Sequence, residues 1–162
     1  MPVRLRYASL TDLPYPDNFF DGIGANLVLP YVVDFQGETG VKALEGVLRE
    51  MFRILKLGGQ LVWSTPKHKV NFVWTFLASV ADMLNLYAYF VQRDHRLSQG
   101  IGILIHALAI QRKGKKGIYT FLPREELGAL LEKIGFSDAI WRKTFARQVW
   151  VISVRKNNLP AL

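Results

Sequence analysis

The hydrophobic rhythm of this chain changes several times, and each change predicts an element. Residues 3–10, VRLRYASL, alternate apolar and polar positions and predict a strand, which the turn-rich TDLPYPDNFFD closes. Residues 22–32, GIGANLVLPYV, form an apolar run too short for an ordinary helix and bounded by Pro30, the pattern of a strand buried on both faces. From 41 to 56 the spacing becomes helical: Leu44, Val47, Leu48, Met51, Phe52 and Leu55 share one face, with Glu45 and Arg49 as an i, i+4 pair on the wet side. Gly58 and Gly59 predict a left-handed stop, and Lys56 is placed to complement the carboxyl end of the helix dipole. Residues 60–66, QLVWSTP, then return as a buried strand, so strand, helix and strand make the βαβ unit of a parallel sheet.

Further along, LPREELGALLEKIGF predicts a helix with Pro123 near its first turn, Leu127, Leu130, Leu131 and Ile134 on one stripe, and Gly135 as the stop. SDAIWRKTFARQVWVISVRK holds two strands joined near Lys143 and Thr144, a hairpin that closes the domain. Between these pieces and the βαβ unit lie roughly fifty residues, far more than an ordinary αβ connection. A helical cap over 68–117 is expected there. In NFVWTFLASVADMLNLYAYFV, the residues Asn71, Thr75, Ser79, Asp82 and Asn85 form one narrow polar stripe, and Asp82 near the middle argues against a bilayer-spanning segment. GIGILIHALAI is a second helix candidate in the same insertion.

Composition narrows the choices. With 162 residues, half of them apolar, one domain covering 1–162 with its own core is expected. Cysteine is absent, which excludes disulfides and Cys-based zinc or iron-sulfur sites, and His68, His95 and His106 show no metal-ligand spacing, so no metal is expected. The net charge of +8 favours anionic partners, and the positive residues gather in QRKGKKG, at Arg93 and Arg96, and near the last strand. They form no nucleic-acid-binding motif, so nucleic acid is not favoured. The first ten residues lack the apolar core of a signal peptide, and a cytoplasmic location is expected.

The ordered stretches LTDLPYPDNFFDGIGANLVLPYV, LREMFRILKLGGQLVWSTP and FLPREELGALLEKIGF closely resemble the C-terminal two-thirds of class I S-adenosylmethionine-dependent methyltransferases of the type 11 kind. The resemblance implies an α/β, Rossmann-like sheet comprising the family's third to seventh strands, the last antiparallel, with a helical insertion after the fifth. It also implies S-adenosylmethionine as cofactor. The family's first strand ends in a glycine-rich loop and its second in an acidic residue that holds the ribose. Neither precedes Val3, and the pairs Gly22/Gly24 and Gly100/Gly102 have Leu27 and Ile105 where a third glycine would stand. The chain therefore reads as a methyltransferase fold beginning at its third strand, whether through a trimmed chain, a shortened gene or a late start codon.

By that resemblance Ser9 and Leu10 would border the cofactor adenine. They stand where the family carries an Asp and a small apolar residue, so Ser9 departs from the pattern and reads equally as a polar turn residue. The carboxyl end of the next strand faces the ligand crevice in open α/β sheets, which makes Asn26, Leu27 and Tyr31 candidates for lining the methionine end or the acceptor, with ordinary packing as their other reading. His68, just past the fifth strand, could act as a base toward a hydroxyl acceptor, or be a solvated loop histidine; His106, in an apolar helix, ranks below it.

These readings favour methyl transfer to a small, lipophilic acceptor by a methyltransferase or a truncated relative. Peripheral contact of Arg93, Arg96 and the RKGKK run with anionic headgroups, and self-association through an exposed sheet edge, accompany that expectation. The alternative is a non-catalytic α/β module whose helical insertion binds a membrane surface or a protein partner. RNA methylation is a third reading, resting only on positive charge.

Overall fold

The computed structural model describes residues 5–68, 118–144 and 147–157, together with Ala109, Arg112, Lys113 and Lys116. A four-stranded sheet organises them. Strand β1 (Phe20–Asn26) leads through a short 3-10 turn (Leu29–Tyr31) and a small hairpin of β2 (Asp34–Phe35) and β3 (Glu38–Thr39) into helix α1 (Val41–Ile54). Strand β4 (Leu55–Pro66) then pairs parallel to β1, with Ile23 beside Leu61 and Asn26 beside Ser64. Helix α2 (Arg124–Ile134), β5 (Phe136–Thr144) and β6 (Val149–Lys156) complete the order β1-β4-β6-β5, in which β6 runs antiparallel to both neighbours. The expected βαβ unit, the closing hairpin and the antiparallel last strand are all present.

Alternation along the strands decides which face carries the core. Ile23, Leu61, Trp63, Ile152 and Val154 point to one side, where they pack with Leu44, Val47, Leu48 and Met51 of α1 and Leu127, Leu130, Leu131 and Ile134 of α2. Trp63, Leu61, Leu48, Leu131 and Ile152 are almost wholly buried. On the other side Gly22, Gly24, Gln60, Ile140 and Arg155 are exposed, and Val62 and Ser153 are half-buried. One face of the sheet is covered; the other is largely open among the described residues.

Three expectations are corrected. No strand forms over the described part of residues 3–10; Leu5 and Tyr7 are almost wholly exposed, and only an isolated bridge joins Ser9 to Asp12. In a doubly wound sheet the third strand pairs with the second, and the described residues supply no such neighbour, so alternation alone cannot hold it extended. The second predicted strand is shorter than its apolar run and open on one face: β1 ends at Asn26, where Leu27 takes a positive φ of 50°.

The helix, thirdly, stops at Ile54, and Leu55 is already extended. Gly58 and Gly59 are therefore not its cap but lie within the β4 range. Gly58 carries the positive φ of 75°, whereas Gly59 is required by space, since a Cβ there would sit 2.7 Å from the Lys56 carbonyl oxygen. The helix end is satisfied from far along the chain. Lys156 Nζ donates to the carbonyl oxygens of Phe52 at 2.8 Å and Leu55 at 2.9 Å, and to Asn18 Oδ1 at 2.9 Å. Its burial pulls the Lys156 ammonium below the usual lysine range. Gly135, by contrast, caps α2 as expected, at a φ of 109°.

The predicted 68–117 cap, with Arg93, Arg96 and His106, lies outside the described residues apart from His68, Ala109, Arg112, Lys113 and Lys116. No helix among the described residues is long and apolar enough to cross a membrane.

Candidate functional site

The carboxyl ends of the two parallel strands meet in a small polar cluster. Ser64 Oγ donates to Asn26 Oδ1 at 2.5 Å and accepts from the Leu27 N–H at 2.8 Å. Register explains the meeting, because Asn26 and Ser64 are cross-strand partners at the last rung of β1. One hydroxyl thus fixes the Asn26 side chain and satisfies the backbone where Leu27 turns into the left-handed region. Strain held by surrounding hydrogen bonds at the end of a parallel strand is characteristic of ligand crevices.

Tyr31 follows two residues after the start of the 3-10 turn and enters an aromatic group with the segment preceding α2. Its ring lies 4.9 Å from Tyr119 and 5.8 Å from Phe121, both edge-on, and the Thr120 N–H donates to the Pro30 carbonyl at 3.0 Å. Burial, with a smaller contribution from Tyr119, raises the Tyr31 phenol above its ordinary range, so it is a neutral hydrogen-bonding group at physiological pH. The Thr120 hydroxyl is buried and has no hydrogen-bond partner among the described residues. Such an orphaned polar group costs stability unless something bonds it.

His68 joins the same segment from the other side: its Nδ1 lies 2.6 Å from the Phe121 carbonyl oxygen. A carbonyl can only accept, so Nδ1 carries the proton and Nε2 of the neutral ring is left as the lone-pair nitrogen. Residues 119–121 therefore bring Tyr31 and His68 into one neighbourhood, while Asn26 and Leu27 are brought together by Ser64.

Ser9 and Leu10 sit apart, on a loop tied to α1. Ser9 Oγ bonds Thr11 Oγ1 at 2.8 Å and is exposed; Leu10 packs at the margin of the core. Downstream, Glu50 Oε1 accepts the Leu13 N–H at 3.2 Å, and Arg53 reaches the Tyr15 carbonyl at 2.9 Å and Asp17 Oδ1 at 2.7 Å. Arg53 also clamps Glu50 at 2.6 Å, and this pairing holds the Glu50 carboxyl below its usual range. Among the described residues, no hydrogen bond joins Ser9 or Leu10 to the Asn26 cluster. Ser64, Thr120, Tyr119 and Phe121 were not singled out in the sequence. Ser64 could have been, since it occupies the rung of β4 opposite Asn26; the others follow the long insertion, and nothing local ties them to Pro30.

Residues 1–63 match the family model described as "Methyltransferase domain". The open α/β sheet ending in an antiparallel strand decides the reading of the remainder. This is a class I methyltransferase fold. A solved SAM-dependent methyltransferase from Thermotoga maritima, described as a possible histamine N-methyltransferase, overlaps 93% of this chain and 62% of its own, with a TM-score of 0.51 at 19% identity. Among related sequences, demethylmenaquinone methyltransferase of Listeria welshimeri is 41% identical over 59 residues, 36% of this chain and 21% of that protein. Glycerol-3-phosphate acyltransferase of a Hydrogenobaculum species is 31% identical over 99 residues, 61% of this chain and 50% of that protein. The chain thus spans half or less of the length of these related sequences. The cofactor that accompanies the matched domain and fold is S-adenosylmethionine.

Proposed function

We propose that this chain forms the acceptor-side wall of an S-adenosylmethionine-dependent methyl-transfer site and that its acceptor is a small, lipophilic molecule. The Asn26, Ser64 and Leu27 cluster carries the reading, because it stands at the carboxyl ends of parallel strands, where open α/β sheets bind ligands. When bound, the cofactor supplies an electrophilic methyl group. Methyl transfer then asks the protein mainly to orient two reactants and to exclude water. Tyr31, Tyr119 and Phe121 offer an apolar, aromatic surface suited to such an acceptor, and the Thr120 hydroxyl, without a partner among the described residues, offers a hydrogen bond to its polar atom. His68, with Nδ1–H held by the Phe121 carbonyl, offers Nε2 to receive the acceptor's proton.

The fit to the cofactor is one-sided. The sequence contains no G-x-G-x-x-G, and the outer edge of β1, beyond which the cofactor's other wall would stand, is unpaired among the described residues. An NMR titration of the chain with S-adenosylhomocysteine tests this. Amide shifts confined to residues 26–31 and 64–68, with a Kd of about 1 mM or weaker, are expected. A short-chain hydroquinone should in turn shift Tyr31, Tyr119 and Phe121. Shifts elsewhere, or none, would leave the non-catalytic module; micromolar affinity in a monomer would contradict a single wall.

Self-association belongs to the same proposal. The β1 edge, FDGIGAN, carries neither Pro nor Lys to discourage strand addition, and a second copy is its expected occupant. A concentration series in light scattering that stays monomeric throughout would remove it.

A further inference from the structure

At the rim where β4 ends, three cations from three elements converge on a pair of indoles. The rings of Trp141 and Trp150 meet edge-on with centroids 5.9 Å apart. Lys67 Nζ lies 5.3 Å from the Trp150 centroid and Lys143 Nζ 5.2 Å from it; the Arg124 guanidinium lies 5.3 Å from Trp141 and 5.8 Å from Trp150. Each contact is a favourable cation–π pair, yet together they gather three like charges around one ring. Among the described residues no ion pair neutralises them, because every salt bridge lies on Lys42, Arg49, Arg53, Lys56 or Lys133. Glu125 and Glu126, beside Arg124 on the first turn of α2, and Asp138, five residues before Lys143, are exposed and form no ion pair with the three among the described residues.

We infer that this tryptophan-centred patch is a docking surface for an anionic lipid bilayer. Indoles flanked by lysine and arginine suit the headgroup level, where an apolar ring and a charged tip are both satisfied. Charge complementarity is supported by the +8 net charge of the whole chain. What favours lipid over nucleic acid is the sequence that leaves this rim. Directly after Lys67 and His68 the sequence enters its longest apolar stretch, residues 70–91, and the basic run QRKGKKG follows at 111–117. An apolar segment bracketed by cations matches a surface that offers both acyl chains and phosphate groups; a nucleic acid offers only the second. The inference does not depend on methyl transfer.

Sedimentation of the chain with phosphatidylcholine vesicles, with and without phosphatidylglycerol, tests it. Binding is expected only to the phosphatidylglycerol vesicles, weakening as salt is raised. The triple variant Lys67→Gln, Arg124→Gln, Lys143→Gln should reduce partitioning about a hundredfold, near fivefold per charge. If that variant folds poorly by circular dichroism, Arg124→Glu alone is compared with Arg155→Glu, a matched charge change on the opposite face of the sheet. Only the first should weaken binding. Equal binding to neutral vesicles, an equal effect of Arg155→Glu, or tighter binding to a single-stranded oligonucleotide at the same salt would overturn the proposal, as would binding of free glycerophosphate without binding of vesicles.

Discussion

The two faces of the sheet are built from the same strands and behave as different materials. On the covered face, Leu61, Trp63, Ile152 and Val154 are sealed by α1 and α2, and Glu45 ties the helices together by accepting from Arg49 at 2.7 Å and Lys133 at 3.0 Å. On the open face the same strands present Gly22, Gly24, Gln60 and Ile140, and its side-chain hydrogen bonds include Gln60 to Ser153, between exposed or half-exposed groups, and Ser64 to Asn26 at the strand ends. Period-two alternation makes both faces, but only helical packing turns one of them into a core. Stability should therefore reside almost wholly on one side of a single sheet.

The largest break in that comparison is Trp63→Ala. The indole is 2% exposed at the centre of the covered face, so its loss should cost about 3–5 kcal/mol through transfer and cavity terms, read as a lower denaturant midpoint. Phe52 was expected to share this role and does so only in part. It is half-buried, and its ring stands edge-on to Phe136 at 5.0 Å, at the margin of the core.

Next comes the end of the covered face. Lys156→Met keeps the apolar stem but leaves the Phe52 and Leu55 carbonyls and Asn18 without their donor, with an expected cost of about 1–3 kcal/mol. A loss below ~0.5 kcal/mol would mean that water serves the helix end equally well. This contact also marks what the sequence could and could not disclose. The stripe Leu44, Val47, Leu48 and Met51 was legible because helical periodicity is local, and the Gly135 cap was legible because a glycine after a helix needs no distant partner. The stop of α1 was misread onto Gly58 and Gly59, since its true ligand lies a hundred residues away in β6. Residues 3–10 alternate correctly, and their described part, residues 5–10, still forms no strand, because pairing depends on a neighbour that alternation cannot supply.

The candidate site divides in the same way. Asn26, Leu27, Tyr31 and His68 were readable as residues near strand ends, where chemistry concentrates in open sheets. That Ser64 joins the first two, and that residues 119–121 join the last two, depends on register and on a return of the chain after a long insertion.

A smaller effect should appear with pH. Arg53 lowers the Glu50 carboxyl in the folded chain, and Arg49 with Lys133 does the same for Glu45. A depressed carboxylate contributes stability that is present above its unfolded value, near ~4.3, and is lost as pH falls through the lower folded value. Acidification through that window should therefore destabilise the chain, and Glu50→Gln should flatten the Glu50 share. That share is about 1 kcal/mol, discounted because Arg53 is one-third exposed. A pH profile unchanged by Glu50→Gln would show that the loop over α1 is held without the charge.

The smallest expected effect is the sharpest test of the two faces. Ile140 and Ile152 occupy adjacent rungs of the paired β5 and β6: Ile140 stands opposite Ser153, and Trp141 opposite Ile152. They point to opposite sides, Ile140 55% exposed and Ile152 fully buried. Residue type is matched, while the covering helices and the place in the sheet differ, since β5 is the edge strand and β6 is paired on both sides. Ile140→Ser should change stability by no more than about 0.5 kcal/mol, as surface substitutions generally do. Ile152→Ser places a hydroxyl in the core and should cost several-fold more. The difference between the two measured losses is an upper bound on what α1 and α2 add to one sheet face, because it includes the step from edge to interior strand. If Ile140→Ser instead cost above ~1.5 kcal/mol, the second face would have a cover of its own in solution, and the division between a sealed and an open side would fall.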